Sequence, residues 1–281
     1  MCIRDRLQDV FFKLRLPFDS PEALDLSTRI QEEIYYWALS TSCDLAEKNG
    51  PHPAYEHTRA ATGDLQFDLW PDVTPSQPER FDALKERIGE HGLRNSLMIA
   101  IAPTATIASI SGCYECIEPQ VSNLFKRETL SGEFLQINRY LVKELQGRGL
   151  WDAEMINDLK QSEGSVQHID RIPDDLKEIY RTAWEIPMRS LIDMAADRGA
   201  YIDQSQSLNL FMESPNIGKL SSMYMYAWKS GLKTTYYLRS RPATRINKTT
   251  TSGPATGPKV FTDAEALACS LENPEHCEAC D

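Results

Sequence analysis

The run Ser96-Leu-Met-Ile-Ala-Ile-Ala102 is apolar at every position after its serine. A strand with one wet face alternates polar and apolar residues, whereas a strand covered on both faces need not. The run therefore predicts a buried strand of a parallel α/β sheet or barrel. Helices must then supply the covering layers.

The flanking segments carry helix signals. Ser20 and Pro21 suit N-cap and first-turn positions, and Leu24, Ile30, Ile34, Trp37, Ala38 and Leu45 recur at helical spacing, which predicts a helix to about Lys48, ended by Gly50 and Pro51. A second helix over about 78–90 places Phe81, Leu84 and Ile88 on one face and stops at His91-Gly92. Further helices are expected near 133–147, 174–185, 187–198 and 219–230, the last closed by Gly231. Leu232-Lys-Thr-Thr-Tyr-Tyr-Leu238 has the β-branched and aromatic density of a final strand. The fold class expected is α/β with parallel strands, without internal repeats.

Charge and cysteine content narrow the functions. A formal net charge of −11 lacks the basic surface that nucleic acid or an anionic membrane needs, so neither is expected as a partner. The longest apolar run, 97–102, is far short of a membrane span, and the N-terminus has no secretory apolar core, so the expected location is cytoplasmic. Seven cysteines at 2, 43, 113, 116, 269, 277 and 280 are odd in number and sparse, which fits a reducing compartment. Met1-Cys-Ile-Arg-Asp-Arg6 looks like a translated sequencing-library adaptor, so residues 1–6 are read as non-native and the biological sequence is expected to begin near Leu7.

The C-terminal end differs in character. From about residue 243 the chain is polar, and Lys248-Thr-Thr-Thr-Ser-Gly-Pro-Ala-Thr-Gly-Pro258 has breakers and no apolar period, so 243–281 reads as a flexible tail. It ends in Cys277-Glu-Ala-Cys280, a dithiol that can close into a disulfide and reopen by exchange. A coil of roughly 30 residues spans about 30 Å, enough to swing that dithiol into a nearby pocket. Spacing alone leaves three readings open: an electron shuttle, half of a zinc site, or two surface thiols.

Three further constellations carry possible chemistry. Pro103-Thr-Ala-Thr-Ile107 follows the buried run as a turn of small and hydroxyl residues. Free backbone N–H groups and a helix dipole there can hold phosphate, though the residues alone favour a capped turn without ligand. Cys113-Tyr-Glu-Cys116 is a second Cys-x-x-Cys without a His or Cys partner at metal-finger spacing, which favours folded core; Glu115 and Glu118 beside it are acid–base candidates, solvated side chains or holders of loop N–H groups. Tyr236 and Tyr237 would point to opposite faces of a regular strand, as core and rim of a sheet, while a kink could bring the rings together as a radical relay.

Taken in order, several segments resemble the C-terminal part of the large (α) subunit of class I ribonucleotide reductase. They are His91-Gly-Leu-Arg-Asn-Ser96, Ala102-Pro-Thr-Ala-Thr106 with Ile117-Glu-Pro119, Leu130-Ser-Gly-Glu-Phe134, Arg148-Gly-Leu-Trp151, Ile172-Pro-Asp-Asp-Leu176, Ala195-Ala-Asp-Arg-Gly-Ala200 with Ile202-Asp-Gln-Ser-Gln-Ser-Leu-Asn209, and Gly231-Leu-Lys-Thr234 with Tyr236-Tyr-Leu-Arg239. The resemblance implies that residues 7–242 form the C-terminal portion of the family's ten-stranded α/β barrel. It also implies that Pro103, Thr104, Ala105, Thr106 and Ile107 bind the diphosphate of a ribonucleoside diphosphate. Tyr236 and Tyr237 would relay a radical from the dimetal small (β) subunit to an active-site cysteine, and Cys277 and Cys280 would reduce the disulfide left by turnover and be recycled by thioredoxin or glutaredoxin.

A second large subunit is a further implied partner, with ATP and deoxynucleotide effectors at upstream sites. No cofactor and no metal are expected in this segment itself. The chain departs from the family in lacking its Asn-x-Cys-x-Glu radical-cysteine motif, its upstream reducible pair, its ATP cone and its effector loops, so alone it is expected to be inactive. Lys233-Thr-Thr-Tyr-Tyr237 is also one residue shorter than in some relatives. Two rival readings remain from the residues: a non-catalytic thiol or metal-binding module built on the two Cys-x-x-Cys pairs, and a standalone binding protein using the phosphate turn.

Overall fold

The structure is a computed structural model that describes residues 7–129 and 132–241, all within one unit ending at Arg241. The adaptor-like start and the tail, including Cys277 and Cys280, lie outside the described residues. Nine helices and four strands follow in order among those residues: α1 (Leu7–Leu14), α2 (Pro21–Asn49), α3 (Pro78–His91), α4 (Ala105–Ser111), β1 (Leu124–Thr129), β2 (Gly132–Ile137), α5 (Arg139–Gly147), α6 (Ala153–Gln161), α7 (Asp174–Ile179), α8 (Met188–Gly199), β3 (Leu210–Phe211), α9 (Ile217–Lys229) and β4 (Leu238–Arg239). None of the described helices is long and apolar enough to cross a membrane.

The architecture is α/β, and its organising element is the segment 204–212. The Ile101 N–H donates to Ser205 O at 3.0 Å, and Ser207 N–H donates to Ile101 O at 2.8 Å, forming a parallel bridge along one edge. On the other edge Tyr236 N–H donates to Leu208 O at 2.7 Å and Leu210 N–H to Tyr237 O at 2.9 Å, where β3 and β4 pair in parallel. Successive residues of a strand bond to opposite sides, so odd and even positions serve different neighbours. β3, α9 and β4 thus form a βαβ unit, with α9 burying Met223 and Ala227 against Ile192, Ala195, Leu208 and Leu210.

The buried strand expected over 96–102 is much shorter. Only the residues around Ile99 and Ile101 are buried and run beside 204–207, while Leu97 is exposed. The amides of Met98 and Ile99 turn aside to the Asp203 carboxylate at 2.8 and 2.7 Å. The final strand shrinks likewise to Leu238–Arg239.

Local signals placed most helices well. Ser20 Oγ accepts the Ala23 amide at 3.1 Å to start α2, and Gly50 at φ 78° ends it. The most buried positions of α2 lie beside the expected apolar ones, of which Leu24, Ile30, Ile34 and Ala38 still pack partly buried against the core. Ala23, Ser27, Gln31, Tyr35, Leu39 and Cys43 recur every fourth residue and are buried, whereas Trp37 and Leu45 are exposed. The polar members find tertiary partners: Gln31 donates to Tyr201 O, and Ser42 Oγ accepts the Asn95 amide.

Elsewhere the expected helix over 133–147 divides into β2, which pairs antiparallel with β1, and α5, capped by Asn138 Oδ1 on the Tyr140 amide at 3.0 Å. The helix expected over 174–185 stops at Ile179, because the Thr182 amide is taken by Glu185 at 2.7 Å and the Ala183 amide by Gln120 O at 2.8 Å. Helix α6, absent from the sequence reading, starts at Asp152, whose carboxylate accepts the Met155 amide at 2.8 Å.

A buried amide cluster ties the β1–β2 hairpin to the helices. Asn123 is fully buried, accepts from Gln120 and Asn138, and donates to Gly164 O at 3.0 Å and Tyr180 O at 2.8 Å. Gly164 sits at φ 81°, where an added Cβ would lie 2.0 Å from Ser122 Oγ and 2.7 Å from Leu124 N. Gly149, at φ 66°, has open space at the same position. Gly164→Ala is expected to cost about 2–4 kcal/mol and Gly149→Ala only about 1–2 kcal/mol, read as denaturation midpoints. Equal costs would mean that backbone strain alone governs both sites.

Candidate functional site

Where the Ile101 bridge ends, Pro103 leads into a tight turn. Thr104 takes φ 55°, an uncommon backbone for a β-branched residue. It is held there twice: its carbonyl accepts the Ala108 amide at 2.8 Å and its Oγ1 accepts the Cys116 amide at 3.0 Å. The Thr106 and Ile107 amides precede that first helical bond and have no acceptor within α4. Pro103, Ala105, Thr106 and Ile107 are exposed, so the turn is fastened from inside and open outside. Its features suit an anion, and they equally suit a capped turn.

The loop after α4 returns beneath this turn. Cys116 is buried, with its thiol 3.4 Å from Ser207 O and 3.6 Å from Glu118 Oε1. Burial, and then the nearby Glu118 carboxylate, push its pKa up to about 12. Cys113 is half-buried, with its thiol 3.5 Å from Ala108 O. Both are free thiols, and among the described residues no three His, Cys, Asp or Glu side chains gather as a metal site.

Glu118 is the group that sequence reading left undecided. It is buried, which raises its pKa, while donors from Asn209 and Cys116 pull the other way. Its Oε1 accepts the Asn209 backbone amide at 2.6 Å and its Oε2 accepts the Asn209 side-chain amide at 2.7 Å. It therefore holds a backbone N–H, one of the roles expected for it. Arg198, fully buried, lies in the same polar core. It donates to Gln206 at 2.8 Å, and burial lowers its pKa to about 10.

The tyrosines meet on β4's approach. The ladder begins only at Leu238, so Tyr236 and Tyr237 escape the regular alternation and turn to the same side. Their ring centroids lie 4.0 Å apart at 49°, and the Tyr236 hydroxyl donates to the Tyr237 hydroxyl at 3.2 Å. That hydrogen bond raises the Tyr236 pKa. Both rings are about half exposed. Lys233 fixes the approach by donating to the carbonyls of Ile202, Asp203 and Gln204 at 2.9, 3.0 and 2.9 Å.

A cavity of about 530 Å3 opens beside these elements, with Cys113, Glu118, Asn209, Arg139 and Arg239 among its lining residues. It flanks the body of α4 rather than the turn itself. The structure thus joins turn, Cys116 loop and tyrosines through one segment, 204–212. Asn209 and Lys233 were missed as site residues, because their partners are remote in sequence and no local pattern marks them.

Comparison with known proteins places these features in a family. The family description "Ribonucleotide reductase, barrel domain" matches residues 6–238. A ribonucleoside-diphosphate reductase large subunit of Caenorhabditis elegans is 52% identical over 238 residues, covering 84% of this chain and 30% of that protein. The same-named subunit of Danio rerio is 48% identical over 287 residues, covering 98% of this chain and 36% of that protein. The chain thus spans about a third of the length of these curated relatives. Among solved structures, an Actinobacillus ureae class Id ribonucleotide reductase alpha subunit superimposes with a TM-score of 0.64 at 27% identity, covering 84% of this chain and 38% of that one.

The raised Cys116 pKa has a reactive consequence. Thiolate is the nucleophile, so at pH 8 the folded protein is expected to alkylate Cys116 at least about tenfold more slowly than the unfolded chain does. The thiol favours the fold below its unfolded pKa, and that contribution is lost as pH rises from about 9 toward 12. Peptide mapping after iodoacetamide treatment reads the first effect; equal labelling in folded and unfolded protein would contradict the burial.

Proposed function

The chain belongs to the ribonucleotide reductase barrel family, and on that premise we propose that it is the C-terminal barrel portion of a large subunit reducing ribonucleoside diphosphates to deoxyribonucleoside diphosphates. The observation that carries this reading is the tyrosine pair. Two phenols whose hydroxyls lie 3.2 Å apart can exchange an electron and a proton together along the bond between them. An adjacent Tyr-Tyr in a regular strand would have its rings on opposite faces.

In this reading Tyr236 and Tyr237 pass a radical between a small subunit and a cysteine of the upstream part of the barrel. The radical itself is supplied by the dimetal centre of that small subunit. The resulting thiyl abstracts the 3′-hydrogen of the ribose, and an upstream dithiol reduces the 2′-carbon and closes to a disulfide. Pro103, Thr104, Ala105, Thr106 and Ile107 seat the substrate diphosphate through the Thr106 and Ile107 amides and the threonine hydroxyls, at the positive end of α4. Thr104 Oγ1 already accepts the Cys116 amide, and its own hydrogen remains available to an anion.

The tail dithiol Cys277 and Cys280 closes the cycle. It gives two electrons and two protons to the upstream disulfide, becomes a disulfide itself, and is reopened by thioredoxin or glutaredoxin. ATP and deoxynucleotides act on the parent at sites outside this segment, and a second large subunit completes the assembly.

Two tests follow. Tyr236→Phe or Tyr237→Phe in a full-length parent is expected to abolish turnover while substrate affinity stays unchanged; a Phe variant with normal rate would refute the relay. The purified 281-residue chain, supplied with small subunit and reductant, is expected to form no deoxynucleotide. Product formation would overturn the division of labour proposed here.

A further inference from the structure

Backbone bonds to Leu208 and Leu210 hold the Tyr236 N–H and the Tyr237 carbonyl, and the Tyr237 N–H takes a side-chain acceptor instead. We infer that Glu118 is a positioning residue that sets the tyrosine pair through Asn209. The inference rests on the relay reading of that pair, and its geometry stands without it.

Glu118 Oε1 accepts the Asn209 backbone amide at 2.6 Å and Oε2 accepts Asn209 Nδ2 at 2.7 Å, a two-point grip on one residue. The far end of the same side chain, Asn209 Oδ1, accepts the Tyr237 backbone amide at 3.3 Å. A carboxylate only accepts and a backbone N–H only donates, so a single orientation of the Asn209 amide satisfies both neighbours. The Cys116 thiol lies 3.6 Å from Oε1 and 3.4 Å from Ser207 O, so its one proton has both as acceptors. Both residues are buried, and a buried donor left without an acceptor is costly. The chain of contacts therefore reads outward from the Cys116 loop through Glu118 and Asn209 to Tyr237, linking residues 91 apart in sequence. Glu118 and Asn209 also line the 530 Å3 cavity, so the grip faces the space beside the tyrosines' strand.

The arrangement has a defined donor–acceptor polarity, which makes it testable by inversion. Glu118→Gln puts an NH2 against Asn209 Nδ2. Relieving that conflict by turning the Asn209 amide over presents its NH2 to the Tyr237 N–H instead. One of the two contacts must fail. Combining Glu118→Gln with Asn209→Asp restores the polarity: the introduced amide accepts the residue 209 backbone N–H and donates to the introduced carboxylate, whose other oxygen accepts the Tyr237 amide.

In a full-length parent assembled with its small subunit, Glu118→Gln is expected to speed hydrogen–deuterium exchange in the peptide holding Tyr236 and Tyr237. It should also lower kcat on the order of 100-fold, the scale of an ångström-sized misplacement, with substrate KM almost unchanged. The double variant is expected to regain slow exchange and most of kcat. Exchange unaltered in Glu118→Gln, or a double variant no better than the single one, would overturn the inference. If exchange speeds up in the single variant and recovers in the double one while kcat never changes, Glu118 does position the tyrosines and the relay reading is what fails. Should the single variant not fold, the double variant decides: recovered fold and turnover support the grip, and their absence overturns it.

Discussion

A strand buried between two others has no water to bond its backbone, and the buried stretch 206–211 of the segment 204–212 is where this chain meets that constraint. Ser205 and Ser207 bond to Ile101, and Leu208, Leu210 and Met212 bond to the approach and ladder of β4. Side chains meet further backbone groups nearby: Lys233 covers the carbonyls of 202–204, Thr234 Oγ1 donates to Gln206 O at 3.0 Å, and Glu118 holds the Asn209 amide. The Pro103–Ile107 turn, the Cys116 loop and the tyrosine pair all attach to this segment, so its satisfaction positions the proposed chemistry.

The same requirement explains why so much of the interior is polar. Gln31, Asn123, Asn138, Arg198 and Gln206 are buried, and each has side-chain hydrogen-bond partners. Such groups stabilise little by themselves, but leaving any one unpaired costs more than the bond contributes. They therefore favour one register of helices and strands over its neighbours. Around them, three apolar clusters supply the bulk of the burial, one on α2, α3 and α8, one on α5, α6 and α7, and one between α8, β3 and α9.

The legible part of the fold was its helices. Ser20 with Pro21, the Phe81, Leu84 and Ile88 stripe, and Gly231 gave boundaries within a residue or two of those observed for α2, α3 and α9. The failures share a cause. The buried face of α2 carries Ser27, Gln31 and Ser42, which look solvent-facing until Arg198, Tyr201 and Asn95 are brought to them. β2 falls within a segment whose spacing predicts helix, because its pairing with β1 is a feature that helical spacing does not register. The expected strand over 96–102 shortened because Asp203 captured two of its amides.

By itself, the sequence determined the α/β class, most helix ends, the family, and the identity of the turn and tyrosine residues, because caps, periodicity and ordered motifs are local. It left open whether Tyr236 and Tyr237 face apart or together, and whether Glu118 is solvated or holds backbone. Tertiary structure decided both. The tyrosine rings meet because the ladder with β3 begins one residue too late to separate them, and Glu118 is buried because Asn209 arrives from 91 residues away. A hydrogen bond between such distant groups forms only after the chain has closed a long loop, and no local pattern of residues encodes it.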